Sequence, residues 1–158
     1  MDIHDIARAA KTYGVQAFFI VNPVEAQKKL AREILRHWQE GYGAIFNQKR
    51  KDALMLVRVK DKLSDVIEDI INETGKKPKT VATGASLSGR NLKHSALKKM
   101  LKNDKLPYLL IFGTGSGLAP EVTEGADFIL EPIEGVEAYN HLAVRSASAV
   151  ILDRITRD

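Results

Sequence analysis

The fold is decided by Tyr108-Leu-Leu-Ile-Phe112-Gly113-Thr-Gly115-Ser-Gly117-Leu118 together with Asp127-Phe-Ile-Leu-Glu131-Pro132-Ile-Glu-Gly135. In each segment a short apolar run ends in a glycine-containing loop that leads towards a helix. Apolar runs of this length, bounded by turn residues, predict buried strands. Because α/β proteins bind ligands beyond the carboxyl ends of parallel strands, both loops are candidates for a binding site.

Along the whole chain, apolar runs alternate with amphipathic stretches. The runs predict strands at 15–21, 56–59, 80–83, 108–112 and 128–130, and helical spacing predicts helices at 3–13, 47–55, 64–74, 94–101 and 140–157. Another helix is expected after Asn22 as far as Gly41. This alternation predicts an α/β fold with a mostly parallel sheet and helices on both faces. Without a repeat or a linker, residues 1–158 are expected to form a single domain.

Composition narrows the class of protein. The 158 residues include no cysteine, which excludes disulfides and thiolate metal sites and fits a reducing, cytoplasmic location. No apolar run approaches the roughly 20 residues of a membrane span, so no membrane association is expected. No histidine, aspartate and glutamate cluster has metal-ligand spacing, so no metal is expected. The net charge of +4 leans towards polyanionic partners.

Three loops are expected to share one edge of the sheet, because they follow strands that end at Thr83, Phe112 and Leu130. In the second loop, Gly113, Gly115 and Gly117 are expected to allow positive φ angles and close approach of a ligand. The alternative is a glycine-rich turn required by packing alone. In the third loop, backbone groups suit recognition of an adenine edge. Asn140 is expected to cap the following helix.

Three motifs together resemble a known family. They are Arg8-Ala-Ala-Lys-Thr-Tyr13-Gly14-Val15, then Leu110-Ile-Phe-Gly113-Thr-Gly115-Ser-Gly117-Leu118, then Pro132-Ile133-x-Gly135 followed by Glu137-Ala-Tyr139-Asn140. In this order they are similar to the motifs of the SPOUT superfamily of S-adenosylmethionine-dependent RNA methyltransferases, especially its SpoU branch. The resemblance implies a C-terminal trefoil knot, a homodimer, and a methyl-donor site built by the knot loops at the subunit interface.

The resemblance also implies roles for particular residues. Arg8 and Asn140 take the places of catalytic residues, Arg8 as a contact to the substrate nucleotide. The donor, S-adenosylmethionine, is expected to contact Thr83, Gly84, Phe112, Gly113, Thr114, Gly115, Gly117, Leu130, Glu131, Pro132, Ile133, Gly135, Tyr139, Asn140 and His141.

Several positions depart from the SpoU pattern. Asp2 and His4 stand where that pattern has asparagine and glycine, and Ala138 stands where it has serine. These changes weaken the case for ribose 2′-hydroxyl methylation and leave base methylation open. The family also has a strand before the Arg8 helix, for which this sequence has no room. The native protein is therefore expected to carry an additional N-terminal strand, to replace that strand, or to be impaired.

The expected function is methyl transfer to a nucleotide of tRNA or rRNA. Basic runs such as 49–51 and 76–79 are candidate RNA contacts. Candidates for a general base are His4, Asp5, Glu121 and His141. Two alternatives stay open: a catalytically inactive knotted dimer that binds RNA or a partner, and a nucleotide-binding enzyme of ordinary doubly wound topology.

Overall fold

The computed structural model describes residues 2–89 and 91–158, which form two compact units. The first unit ends at Asp69, and the second runs from Ile70 to Asp158. The predicted single domain is neither supported nor contradicted by this division and stays a prediction.

The first unit is an α/β unit around a two-stranded parallel sheet. Its elements are α1 (Ile3–Thr12), β1 (Phe18–Val21), α2 (Glu25–Gln39), α3 (Tyr42–Phe46), α4 (Gln48–Leu54) and β2 (Val57–Lys60). Strands β1 and β2 pair with Phe18 opposite Val57. Their core buries apolar side chains from α1, α2, α4 and β2, which are Ile3, Ala7, Ala31, Leu35, Ala53, Leu54 and Val57.

The second unit is built on a four-stranded parallel sheet. Helix α5 (Leu63–Thr74) crosses the boundary between the units. It is followed by β3 (Lys79–Thr83), β4 (Asn91–Leu92), α6 (His94–Asn103), β5 (Tyr108–Phe112), α7 (Pro120–Gly125), β6 (Phe128–Leu130) and α8 (Val144–Thr156). The strand order is β4-β6-β3-β5, and every neighbouring pair is parallel.

Strand β3 lies at the centre of this sheet and fixes its register. Val81 and Ala82 are fully buried, as expected for a strand with neighbours on both sides. At the entrance to β3, the Asp127 carboxylate accepts hydrogen bonds from the Thr80 amide at 2.8 Å and the Thr80 hydroxyl at 3.1 Å. At its exit, the Thr83 hydroxyl donates to the Ile111 carbonyl at 2.9 Å. The carboxyl ends of β3, β5 and β6 therefore lie at the same edge.

The α/β class and the parallel pairing predicted from the sequence are confirmed, with two differences in architecture. The described strands form two sheets rather than one, because periodicity marks strands but does not specify their partners. The last helix begins at Val144 with Ala143 as its N-cap. Asn140 therefore does not cap it, and that expectation is wrong. Within the described residues, 2–89 and 91–158, no helix is both long and apolar enough to cross a membrane.

Candidate functional site

A cavity of about 660 Å³ lies in the second unit, at the edge where β3, β5 and β6 end. Its volume is in the range of small-molecule and cofactor sites. Three loops and one face of α8 form its walls. The loop residues are Thr83, Gly84, Ala85, Ser86, Leu87, Phe112, Gly113, Thr114, Gly115, Ser116, Gly117, Leu118, Glu131, Pro132, Ile133, Asn140, His141, Leu142 and Ala143.

Most of the predicted donor contacts line this cavity. The structure brings together Thr83, Gly84, Phe112, Gly113, Thr114, Gly115, Gly117, Glu131, Pro132, Ile133, Asn140 and His141. Leu130 is buried within β6, while Gly135 and Tyr139 are exposed and do not line the cavity. Arg8 is an exposed residue of α1 in the first unit.

One side-chain hydrogen bond joins the first loop to the third. The Asn140 amide nitrogen donates to the Ala85 carbonyl oxygen at 3.0 Å, across 55 residues of sequence. Because both groups are partly buried, losing this bond would leave a carbonyl without its partner. The side chain of Asn140 therefore holds two walls of the cavity together instead of capping a helix.

The glycine loop is shaped by close packing of its own backbone. A Cβ atom on Gly113 would lie 2.4 Å from the carbonyl carbon of Gly117 and 2.7 Å from the amide nitrogen of Leu118. The Gly117 amide closes a tight turn onto the Thr114 carbonyl at 2.6 Å, and Gly117 has a φ of 80°. Gly115 does not have a positive φ, and a Cβ atom placed on it would have no other atom within 4 Å. Of the three expected positive φ angles, only that of Gly117 is observed.

Glu131 anchors the third loop to α6. One carboxylate oxygen accepts from the His94 amide and from the His94 ring nitrogen Nδ1, each at 2.8 Å. His94 is the first residue of α6, so this carboxylate caps a helix N-terminus from another part of the chain. The bond from the His94 amide, followed by the bond from its ring, holds the pKa of Glu131 below its usual value against the opposing effect of burial. The carboxylate therefore stays ionised at neutral pH.

The contributions of α8 and of the end of the first loop to the cavity wall were not predicted from the sequence. Ala147 and Ile151 of α8 line the cavity, and their spacing of four residues places them on one helix face. This spacing was visible in the sequence as a signal. Leu87 also lines the cavity, where its side chain lies against Gly84. No local pattern indicated that contact.

The residues proposed as general bases occupy different places. His141 lines the cavity and lies edge-on to the Tyr139 ring, with the ring centres 5.7 Å apart. Glu121 is exposed on α7, and Asp5 is exposed on α1. In the first unit, burial, followed by the nearby charge of Arg50, lowers the pKa of His4. In residues 2–89 and 91–158, no group of three or more histidine, aspartate and glutamate side chains is arranged to hold a metal ion.

A family model described as "SAM-dependent RNA methyltransferase" matches residues 1–157 of this chain. The chain belongs to this family. The relationship to S-adenosylmethionine-dependent RNA methyltransferases that the three motifs indicated is thereby confirmed. S-adenosylmethionine is the methyl donor that the family description names.

Two relatives match nearly the whole of this chain. A tRNA (guanine-N(1)-)-methyltransferase of Nitratidesulfovibrio vulgaris is 44% identical over 158 residues, which cover 100% of this chain and 36% of the relative. The chain thus spans about a third of that enzyme's length, and its named activity need not belong to the matched segment. An uncharacterised protein of Aquifex aeolicus is 39% identical over 155 residues, covering 98% of this chain and 76% of the relative.

The fold is also similar to that of a protein of known structure. The crystal structure of TrmJ from Z. mobilis superimposes with a TM-score of 0.64 at 18% identity, covering 99% of this chain. The match spans 63% of that chain. At this identity the similarity concerns the fold alone, which agrees with the parallel sheets and helices described above.

Proposed function

We propose that this chain is an S-adenosylmethionine-dependent methyltransferase that acts on RNA and holds the donor in the cavity of the second unit. The observation that carries the proposal is the meeting of three loops at the carboxyl ends of β3, β5 and β6, where the second and third family motifs also lie. The catalytic and donor-binding roles predicted from the motifs are part of this proposal.

The residues of the cavity suit such a donor. Backbone amides and carbonyls of the third loop, near Ile133, are available to an adenine edge, and Phe112 and Leu118 offer apolar walls. S-adenosylmethionine supplies an already activated methyl group, so these residues need only bind, orient and exclude water. His141, which lines the cavity, is our candidate for accepting a proton from the methylated atom.

RNA is the proposed substrate, with tRNA favoured over rRNA. The family description names RNA, and the matched relative of Nitratidesulfovibrio vulgaris is named for a tRNA activity. Arg8 is proposed to contact the substrate nucleotide, since it is exposed on α1 and matches the arginine of the first family motif. Whether a base or a ribose is methylated stays open.

A C-terminal knot and a homodimer complete the proposal. The hydrogen bond between Asn140 and Ala85 supports the knot, because it joins the segment before α8 to the loop after β3. Exposed apolar side chains next to the cavity, Val136, Tyr139 and Leu142, support a subunit interface there. The cytoplasmic location expected from the cysteine-free sequence stays a prediction, as does the expected absence of a metal.

The test is incorporation of tritiated methyl groups from S-adenosylmethionine into total RNA from cells that lack this protein. We expect incorporation with the purified chain, and mass spectrometry of nucleosides from cells with and without it should identify the modified nucleotide. Donor binding without incorporation into RNA would instead support the inactive, RNA-binding alternative. Absence of both would refute a methyltransferase.

A further inference from the structure

Helix α3 reverses the usual distribution of apolar side chains. It buries its smallest residues, Gly43 and Ala44, and exposes its largest, with Tyr42, Ile45 and Phe46 at 73%, 86% and 76% exposure. Amphipathic helices normally bury their large apolar residues. An exposed cluster of this kind marks an interaction surface more often than a structural element.

The packing beneath α3 explains why the helix presents this face. A Cβ atom on Gly43 would lie 2.6 Å from the Trp38 ring, so only glycine lets α3 approach α2 this closely. The Tyr42 and Phe46 rings then project together, with their centres 6.3 Å apart and their planes inclined by 21°. Two nearly parallel aromatic rings are thus held on the surface of the first unit.

A run of three basic residues follows this aromatic pair in the sequence. Lys49, Arg50 and Lys51 follow on α4, and no ion pair joins them to a carboxylate in the described ranges 2–89 and 91–158. The Arg50 guanidinium lies 4.8 Å from the centre of the Trp38 ring. This is the same ring against which Gly43 of α3 packs. Aromatic rings beside unpaired cations are the arrangement by which proteins hold unpaired nucleotides.

We propose that Tyr42 and Phe46 form a stacking surface for unpaired RNA bases, with Lys49, Arg50 and Lys51 contacting the flanking phosphates. This inference rests on the proposed action on RNA and adds where, in the first unit, the RNA is held. Stacking accepts any base because every base has a π face. The surface therefore selects single-stranded or looped RNA over a continuous duplex.

A second copy of the chain is the less suitable occupant. A symmetric dimer through α3 would bring two copies of the basic run Lys49, Arg50 and Lys51 into one interface, and like charges at an interface are repulsive. RNA is a polyanion, so its phosphates would be attracted to these three cations.

The test compares binding of a fluorescein-labelled, unstructured RNA 12-mer to the full chain and two variants by fluorescence anisotropy. Tyr42→Leu/Phe46→Leu removes both rings but keeps an apolar surface. Leu30→Ala is the matched control, because Leu30 is another exposed apolar residue of the first unit. We expect the double variant to bind about tenfold or more weakly, since each stacked base is worth roughly five- to 150-fold in affinity. The control should bind like the wild type.

Donor titration by calorimetry and sedimentation velocity accompany each measurement. Unchanged donor affinity in the double variant shows that the second unit is folded and that the proposed donor site is intact, and the circular-dichroism spectrum of each variant checks that the first unit is folded. Equal RNA affinity of wild type and double variant overturns the stacking surface, and a changed oligomeric state with unchanged RNA affinity assigns α3 to self-association. If the wild type binds no RNA but binds the donor, both this inference and the RNA substrate fail.

Discussion

Asn140 shows how a single side chain can have a different role from the one its sequence position suggests. It precedes the last helix in the sequence, but its amide donates to Ala85 and α8 begins four residues later. We expect Asn140→Ala to lower the free energy of unfolding by about 1 kcal/mol, the usual worth of one hydrogen bond. We also expect it to weaken S-adenosylmethionine binding, because two cavity walls lose their connection.

The control for this substitution is Asn103→Ala, at the exposed end of α6. Urea unfolding and calorimetric titration on both variants separate the two effects. Loss of stability with unchanged donor affinity would limit Asn140 to a structural role.

Glu131 links the chemistry of one carboxylate to the pH dependence of stability. The pKa of Glu131 is lowered in the folded chain. Its contribution to the free energy of unfolding is therefore fully present above the ordinary glutamate pKa of about 4.3, and it is lost as the pH falls through the lowered pKa of the folded state. Glu131→Gln keeps the shape but removes the charge that faces the α6 N-terminus. We expect a loss of about 1 kcal/mol at pH 7 and a smaller decline in stability on acidification.

Urea unfolding at a series of pH values from neutral to acid measures this effect. Glu134→Gln is the control, since Glu134 is exposed in the same loop. If wild type and Glu131→Gln declined in parallel on acidification, the carboxylate would not be coupled to folding.

At the scale of the elements, the glycine loop between β5 and α7 offers three neighbouring substitutions with different expected costs. Gly115→Ala should change stability by less than about 0.5 kcal/mol, because its Cβ would be in open space. Gly117→Ala should cost roughly 1 kcal/mol, because φ is positive there. Gly113→Ala should cost roughly 1–3 kcal/mol, since its Cβ would collide with backbone atoms that cannot rotate away.

Thermal or urea unfolding of the three variants gives the order directly. Equal costs at Gly113 and Gly115 would mean that the loop opens without penalty and that close packing does not shape it.

The elements also show how far the sequence leads. The strands β5 and β6 are found at the predicted residues, because each is a short apolar run bounded by turn residues. Helix α3 was not predicted, because Gly41 and Gly43 are typical of a helix end. Its stability comes instead from the contact of Gly43 with Trp38, which lies outside any local pattern. The start of α8 was misplaced for a similar reason, since the bond from Asn140 to Ala85 depends on tertiary structure.

At the scale of the whole molecule, the net charge of +4 predicts salt-dependent binding of RNA. The logarithm of the binding constant should fall linearly with the logarithm of salt concentration, with a slope of about −0.7 for each single-strand phosphate contact. Lys49→Ala/Lys51→Ala should reduce this slope, whereas Tyr42→Leu/Phe46→Leu should lower affinity and leave the slope unchanged. A salt-independent affinity of the wild type would contradict phosphate contacts.

The loops after the strands ending at Thr83, Phe112 and Leu130, two of which carry family motifs, predicted most of the cavity wall, because loops after parallel strands meet at one sheet edge whatever the details of pairing. The division of the strands into two sheets was not predictable, since pairing between distant strands leaves no periodic signal. The α8 residues Ala147 and Ile151 were missed because they look like ordinary core positions of a helix.

The central claim is that the cavity of the second unit binds the methyl donor. Calorimetric titration of S-adenosylmethionine into the wild type, Gly125→Ala and Gly113→Ala tests it most directly. Gly125 ends α7, does not line the cavity, and would place a Cβ atom in open space. The account predicts equal donor affinity for the wild type and Gly125→Ala, and strongly weakened binding to Gly113→Ala. No binding to the wild type, or equal affinity for all three proteins, would contradict it.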